Sequence, residues 1–210
     1  MDAGRPDRVR RVGFQDEPEP APAINPMRIL AGLAALLFPV CNVLPILFIN
    51  FDIERAHPPD TRAGIIFLFA YVLLLPLVYV LYQELRAVSP PLGTWVSVLG
   101  VGVPVGVATG VIFGLDSPSA AILTVTCLSL WIGLAGYVAF SQRILGRVWA
   151  LFSMAISALA LVAAIVNIMF GFVSPAGLYI WGIYALAILI WVLWTGVMFM
   201  RRARMTPAGA

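Results

Sequence analysis

Six apolar runs, each close to the length that a membrane-spanning helix needs, occupy most of this chain. They are too long and too densely apolar to be the strands of a membrane barrel. Because a backbone in lipid must satisfy its own hydrogen bonds, the runs are predicted to be helices. The predicted spans are residues 27–50, 64–83, 92–114, 119–141, 148–172 and 176–200. The sequence therefore predicts an all-α polytopic membrane protein, a bundle of six transmembrane helices.

The composition supports a chain that is covered by lipid rather than by water. Hydrophobic residues make up 61% of the 210 residues and charged residues only 11%, whereas a soluble domain carries about 25% charged residues. The first 26 residues differ, because they combine charge with proline and contain few apolar side chains. We expect a disordered cytoplasmic tail at 1–26, a six-helix transmembrane domain at 27–202 and a short cytoplasmic tail at 203–210.

The arginines predict the orientation of the helices. All 13 basic residues are arginine, and with six spans 11 of them fall on the side that holds both termini. Only Arg55 and Arg62 fall on the other side. Because positive residues mark the cytoplasmic side, we expect a multi-pass protein of the plasma membrane with its N- and C-termini in the cytoplasm. The net charge of +3 needs no nucleic acid to explain it, and the lipid bilayer is the expected partner.

A stripe of glycines runs along the third predicted helix, at Gly102, Gly106, Gly110 and Gly114. Residues four apart share one face of a helix, and small residues on one face let two helices approach closely in lipid. An internal contact within the bundle is favoured over a homodimer seam or a partner's docking face, and over a pore lining. The expected internal partners are small residues of the fourth and fifth predicted helices: Gly133, Gly136, Ser153, Ser157, Ala160 and Ala164.

The apolar runs hold no ionisable side chain between their ends, which excludes several kinds of chemistry. The only histidine, His57, lies in a loop, so haem ligation by two histidines and an HExxH zinc site are excluded. The absence of lysine excludes a retinal Schiff base, and no GxSxG motif or intramembrane carboxylate pair occurs. Glu84, at a helix end, is expected to be an anchor. We predict a protein that is not an enzyme and has no catalytic, metal-binding or cofactor-binding residue and no cofactor.

Two intramembrane asparagines, Asn42 and Asn167, are the candidate polar sites. Asn42 lies between Pro39 and Pro45. Since each proline removes a backbone donor and frees a carbonyl four residues earlier, the first helix is predicted to be kinked, with Asn42 beside freed carbonyls. The favoured interpretation is that the side chain of Asn42 hydrogen-bonds these carbonyls or a neighbouring helix. The alternative is that Asn42 lines a path for a solute. Asn167 is interpreted as an interhelical hydrogen-bonding residue.

Aromatic residues are concentrated in the last apolar run. Several of them are predicted to fall near the two membrane interfaces, where such rings anchor a helix. This interpretation is favoured over a binding site for an apolar ligand. The residues are Tyr179, Trp181, Tyr184, Trp191 and Trp194.

Three segments resemble a bacterial family of small multi-helix membrane proteins that is known only as a domain of unknown function. They are "LPLVYVLYQELRAVSP", "SQRILGRVWALFSMAISALALV" and "IWVLWTGVMFMRR". The resemblance implies a membrane bundle. It implies no activity, and no catalytic residue can be transferred from it.

Two hypotheses for function follow. The first is a non-enzymatic accessory or assembly protein that packs through the glycine-striped third helix, with a homo-oligomer or another membrane protein as its partner. The alternative is a small transporter or channel for an uncharged or lipid-like solute, with Asn42 and the two prolines along the path.

Overall fold

The computed structural model describes residues 25–51, 61–113, 118–170 and 174–203. These residues form α-helices, and no β-strand occurs among them. The helices are α1 (Pro26–Phe51), α2 (Thr61–Val72), α3 (Leu75–Arg86), α4 (Pro90–Phe113), α5 (Pro118–Ser141), α6 (Arg147–Phe170) and α7 (Pro175–Ala203). The prediction of an all-α membrane bundle is confirmed. The predicted tails, 1–26 and 203–210, lie almost wholly outside the described residues.

Each predicted span corresponds to one helix, except that α2 and α3 together occupy the place of the second. Within the described residues, five segments are long and apolar enough to cross a membrane, by length and composition. They are Leu68–Arg86, Pro90–Ile112, Leu123–Ser141, Arg147–Val166 and Pro175–Ala203. The helix α1 has 26 residues, and its stretch Pro26–Asn42 is also apolar. The chain is thus an integral membrane protein.

Proline and capping residues determine where several helices begin. Four of the helices, α1, α4, α5 and α7, have proline as their first residue. Proline suits this position because its missing N–H would have no partner within the helix. Asn25 precedes α1 and accepts a hydrogen bond from the backbone N–H of Met27 at 3.1 Å. Ser174 does the same for Gly177 of α7 at 3.0 Å, so side chains satisfy the helix ends.

A break at Leu73 and Leu74 divides the second transmembrane segment. The N–H of Leu74 bonds the carbonyl of Tyr71, three residues back, instead of continuing the helical pattern. Pro76 follows within the first turn of α3 and has no N–H to give to the carbonyl of Val72. The sequence predicts kinks at Pro76 and Pro104. The structure has an interruption before Pro76, whereas α4 continues as one helix past Pro104. Likewise, α1 continues as one helix past both Pro39 and Pro45.

The helices form a closed ring in sequence order. Each transmembrane segment packs against the next one along the chain, and α1 packs extensively against α7 to close the ring. At this closure Gly32 and Gly196 face each other, and a Cβ on Gly196 would collide with the Cβ of Ala35. Large fully buried side chains fill the centre of the ring: Phe38, Leu77, Leu81, Trp131, Trp149, Trp191 and Phe199.

The turn between α5 and α6 is tight and strained. The N–H of Ile144 bonds the carbonyl of Ala139 and the N–H of Arg143 bonds that of Phe140, which is the Schellman pattern of a helix end. This pattern needs a left-handed residue, and Arg143 supplies it with a φ of 56°. Leu145 is also left-handed, with a φ of 59°, and its side chain is buried. The turn therefore holds two non-glycine residues in the left-handed region, and this conformation reverses the chain and buries Leu145.

Replacing Arg143 with glycine is expected to stabilise the protein by about 1 kcal/mol, since glycine adopts the left-handed conformation without a steric cost. The measurement is the thermal unfolding midpoint of the detergent-solubilised protein. Gln142→Gly is the matched control, because Gln142 precedes Arg143 and is not among the residues with positive φ. We expect the control to leave the midpoint unchanged or lower it. Equal shifts in both variants would contradict the strain argument.

Candidate functional site

The glycine stripe of α4 is used inside the bundle, against α5. A Cβ on Gly102 would lie 2.8 Å from Sγ of Cys127, and a Cβ on Gly106 would lie 2.5 Å from Oγ1 of Thr124 and 2.9 Å from its backbone nitrogen. Gly110, on the same face, is buried. Gly114 lies outside the described residues. The backbone of α4 thus lies directly on α5 at this stripe.

The small residues predicted to face this stripe have a different partner. Gly133 and Gly136 of α5 pack against α6, where added Cβ atoms would lie 2.5 Å from Oγ of Ser157 and 2.6 Å from Cβ of Ser153. The stripe therefore packs on the fourth predicted helix, as expected, but at Thr124 and Cys127 instead of Gly133 and Gly136. The expected pairing with Ser153 and Ser157 is wrong. The two glycines and the two serines form a second close contact, between α5 and α6. Of the two expected alanines further along α6, Ala160 is buried and Ala164 is exposed.

Two hydrogen bonds join α6 to α7, each from a tryptophan of one helix to a hydroxyl of the other, and we call these four side chains the lock. The indole N–H of Trp149 donates to Oγ1 of Thr195 at 2.9 Å, and that of Trp191 donates to Oγ of Ser153 at 2.6 Å. Each hydroxyl in turn donates to the backbone carbonyl of the tryptophan four residues before it in its own helix. All four side chains are buried. Every polar atom in the lock therefore has a partner within it.

This lock was not predicted, although the sequence carries a signal for it. Tryptophan is followed four residues later by a hydroxyl residue in both helices, in "WALFS" of α6 and in "WVLWT" of α7. Residues four apart lie on one face. Two antiparallel helices that each carry such a pair can exchange the two hydrogen bonds.

The aromatic residues of α7 divide between the core and the membrane surface. Trp191 is fully buried, and its ring lies 5.4 Å from that of Trp131 and 5.6 Å from that of Trp149. Tyr184 is also buried, with its hydroxyl 2.8 Å from Oγ of Ser129. An interfacial role is therefore wrong for Trp191 and Tyr184. Tyr179, by contrast, is largely exposed.

Of the two candidate polar sites, the structure describes the side chain of Asn42 alone. The side-chain amide of Asn42 donates to the carbonyl of Phe38 in its own helix at 3.0 Å. This carbonyl is not one that Pro39 or Pro45 frees, because those belong to Ala35 and Cys41. Asn167 belongs to α6, and its side chain lies outside the described residues. The structure thus gives Asn42 a hydrogen bond within its own helix.

An ion cluster joins three helix ends at one end of the ring. Glu84 of α3 lies 2.5 Å from the guanidinium of Arg28 in α1 and 3.9 Å from that of Arg202 in α7. Arg28 also donates to the backbone carbonyl of Arg202 at 3.4 Å. The three side chains are 19%, 22% and 38% exposed, respectively. The cluster links the two helices that close the ring to the C-terminal end of α3, which extends the anchoring role expected of Glu84.

Replacing Glu84 with glutamine is expected to destabilise the bundle by about 1 to 2 kcal/mol, because it removes the carboxylate between two guanidinium groups in a half-buried setting. The measurement is again the thermal unfolding midpoint in detergent. Arg201→Gln is the matched control, since Arg201 is an exposed charge in the last turn of α7. A loss no larger than that of the control would show that the cluster does not hold the ring closed.

A groove opens on the side of the ring between α4, α5 and α6. Its volume is about 370 Å³. Most of its lining is apolar, and two hydroxyl-bearing side chains contribute to it. The lining residues are Leu99, Leu130, Gly133, Leu134, Tyr137, Met154 and Ser157. Neither Asn42 nor the described glycines of the α4 stripe, Gly102, Gly106 and Gly110, are among these lining residues.

The described residues contain no group of three or more histidine, cysteine, aspartate or glutamate side chains that could hold a metal ion. Cys41 and Cys127 are free thiols. Among those same residues, the buried hydroxyls of Ser129, Ser153 and Thr195 are hydrogen-bonded to neighbouring helices. No protein-family model matches the chain, and no curated protein or solved structure matches it.

Proposed function

We propose that this integral membrane protein is a non-enzymatic accessory or assembly protein. The observation that supports it is the interior of the described ring, which large side chains fill and in which the buried hydroxyls bond to protein groups. The described charges lie at helix ends, as in the cluster around Glu84. Such an interior supplies structure, and it offers neither an acid–base pair nor a polar path for a solute.

The partner in this proposal is a second copy of the chain or another membrane protein. The glycine stripe is a poor docking face for it, because α5 of the same chain already covers Gly102 and Gly106. The contact is therefore assigned to another part of the lipid-facing surface. The resemblance to a family with a domain of unknown function remains a prediction beside this proposal.

The proposal places the protein in the plasma membrane with both termini in the cytoplasm. The support is the position of the arginines: Arg28, Arg86, Arg143, Arg147, Arg201 and Arg202 all belong to helix ends or turns at the end of the ring that holds the ion cluster. Positive residues favour the cytoplasmic side. A fluorescent protein fused after residue 210 should fluoresce, whereas alkaline phosphatase at the same place should be inactive. The reverse pattern would overturn this orientation.

The accessory role is tested by the mass of the intact particle. The protein is extracted from its own membrane in a mild detergent and weighed by native mass spectrometry. We expect a particle heavier than the 22.7 kDa chain, with a defined second polypeptide or a whole number of copies. A bare chain at every detergent concentration would overturn the proposal.

The second candidate, a small transporter for a lipid-like solute, is favoured by one observation, the lateral groove of about 370 Å³. Lipid-facing grooves admit apolar molecules from the bilayer. Transport would also require a route across the membrane, which an assay of lipid exchange between the two leaflets of proteoliposomes detects. Exchange above that of empty vesicles would favour this candidate over the accessory role.

A further inference from the structure

The lateral groove lies on the outer surface of the helix bundle. Leu130 and Tyr137, on its rim, are 51% and 55% exposed on the surface of the bundle. No side chain fills the bottom of the groove at Gly133, where α5 packs directly on Ser157 of α6. Leu99 of α4 contributes to the lining on the other side. The groove can therefore hold a flexible apolar chain, and lipid surrounds it.

The groove leads towards a positively charged end. Along α5, Phe140 follows Gly133 by seven residues and so lies on the same face. Along α6, Met154 follows Arg147 by seven residues, so Arg147 shares the face that lines the groove. The two helices meet at this point, because the guanidinium of Arg147 lies over the ring of Phe140 at 5.8 Å. A cation thus lies about two helical turns from Met154 of the groove, at the first residue of α6.

The charge at this end is not balanced by a neighbouring acid in the sequence. The turn from 141 to 147, "SQRILGR", holds two arginines and no carboxylate. The guanidinium of arginine matches the geometry of a phosphate and binds it by two parallel hydrogen bonds. Arg143 and Arg147 are both exposed, so they are accessible to a headgroup at the interface.

We propose that the groove binds one anionic phospholipid. One acyl chain lies along Gly133 and Ser157 between α5 and α6, and the phosphate of the headgroup binds Arg147. The net negative charge of the lipid is complementary to the charge of Arg147, whereas a zwitterionic lipid with the same chains has no net charge. This inference goes beyond the accessory role, because a bound lipid would stabilise the bundle whether or not a protein partner binds.

The test compares two lipids that differ only in headgroup, dioleoyl phosphatidylglycerol and dioleoyl phosphatidylcholine. Each is titrated into the purified protein in detergent, and the bound copies are counted by native mass spectrometry. We expect one phosphatidylglycerol to be retained, with an affinity about fivefold above that of phosphatidylcholine, which is the typical effect of one arginine near an anionic lipid. Equal affinities for the two lipids would overturn the proposal.

Two pairs of variants locate the lipid. Arg147→Gln should reduce the binding of phosphatidylglycerol to that of phosphatidylcholine, whereas Arg201→Gln, an exposed arginine at the same end of the ring, should not. Leu130→Trp fills the groove and should weaken both lipids at least fivefold. Leu186→Trp is its control, because Leu186 is 58% exposed and lies on α7, away from the groove.

An equal loss of phosphatidylglycerol binding in Arg147→Gln and Arg201→Gln would overturn the headgroup site, because any arginine at the membrane interface would then have the same effect. An equal loss in the two tryptophan variants would overturn the acyl-chain site. If Leu130→Trp does not fold, the comparison of the two arginine variants still tests the proposal. Failure of the accessory role appears separately, as a particle without a second polypeptide, and it does not change these lipid counts.

Discussion

Replacing Gly106 with leucine is expected to prevent α4 and α5 from packing, at a cost of at least about 3 kcal/mol in the free energy of unfolding. A Cβ at this position would lie 2.9 Å from the backbone nitrogen and 3.0 Å from the Cα of Thr124. These are backbone atoms, which cannot move aside as a flexible side chain can. The two helices would have to separate, and the contact between them is the most extensive one among the described helices.

The measurement is the yield and thermal midpoint of the monodisperse peak in fluorescence-detected size-exclusion chromatography. Gly182→Leu is the matched control, because a Cβ on Gly182 of α7 would meet nothing within 4 Å. We expect the control to behave as the wild type or slightly better, since leucine is a stronger helix former than glycine. If both leucine variants have the same midpoint, close packing is not the reason for the glycine at 106.

Replacing Trp191 with alanine is expected to cost about 3 to 5 kcal/mol, which is typical for the loss of a buried tryptophan. The substitution removes the hydrogen bond to Ser153 and the ring contacts with Trp131 and Trp149. It also leaves a cavity at the centre of the ring that lipid cannot reach. Trp191 belongs to the lock between α6 and α7, so these helices should separate first.

Trp95→Ala is the control for this loss. Trp95 of α4 is 61% exposed on the membrane-facing surface, so lipid replaces the contacts of its ring. The free energy of unfolding is measured by denaturation in mixed detergent micelles, and the difference between the two variants is the predicted quantity. A loss in Trp95→Ala as large as that in Trp191→Ala would contradict the assignment of Trp191 to the core.

Hydropathy predicts the number and place of the membrane segments well, because burial in lipid requires long apolar runs whatever the packing. The missing N–H of proline is also a local property and marks the interruption before Pro76, but it does not decide the outcome alone, because α1 and α4 continue past the prolines within them. The glycine stripe at Gly102 and Gly106 also indicates correctly which face of α4 packs closely. Each of these inferences depends on a single segment of the chain.

The partners of each face could not be predicted from one sequence. Gly133 and Ser153 are small residues on apolar helices, and nothing in their spacing says which other small residues they meet. The same limit explains why the sequence does not assign Trp191 of the last apolar run either to the core or to a membrane interface. A helix that is apolar on all sides does not reveal which side faces lipid and which faces protein, because both environments are apolar. The lateral groove arises from three helices, so no single segment predicts it.

The contact between α1 and α7 also determines how late in synthesis the helix bundle can be completed. Arg28 and Arg202 are separated by 174 residues, so at ordinary translation speeds α1 precedes its final neighbour by roughly 10 to 35 seconds. During that interval the face of α1 that carries Gly32 has no helix to receive it. A translation product that stops before α7 keeps this face open permanently. Such a product would present insertion chaperones and membrane proteases with a recognisable unfinished surface.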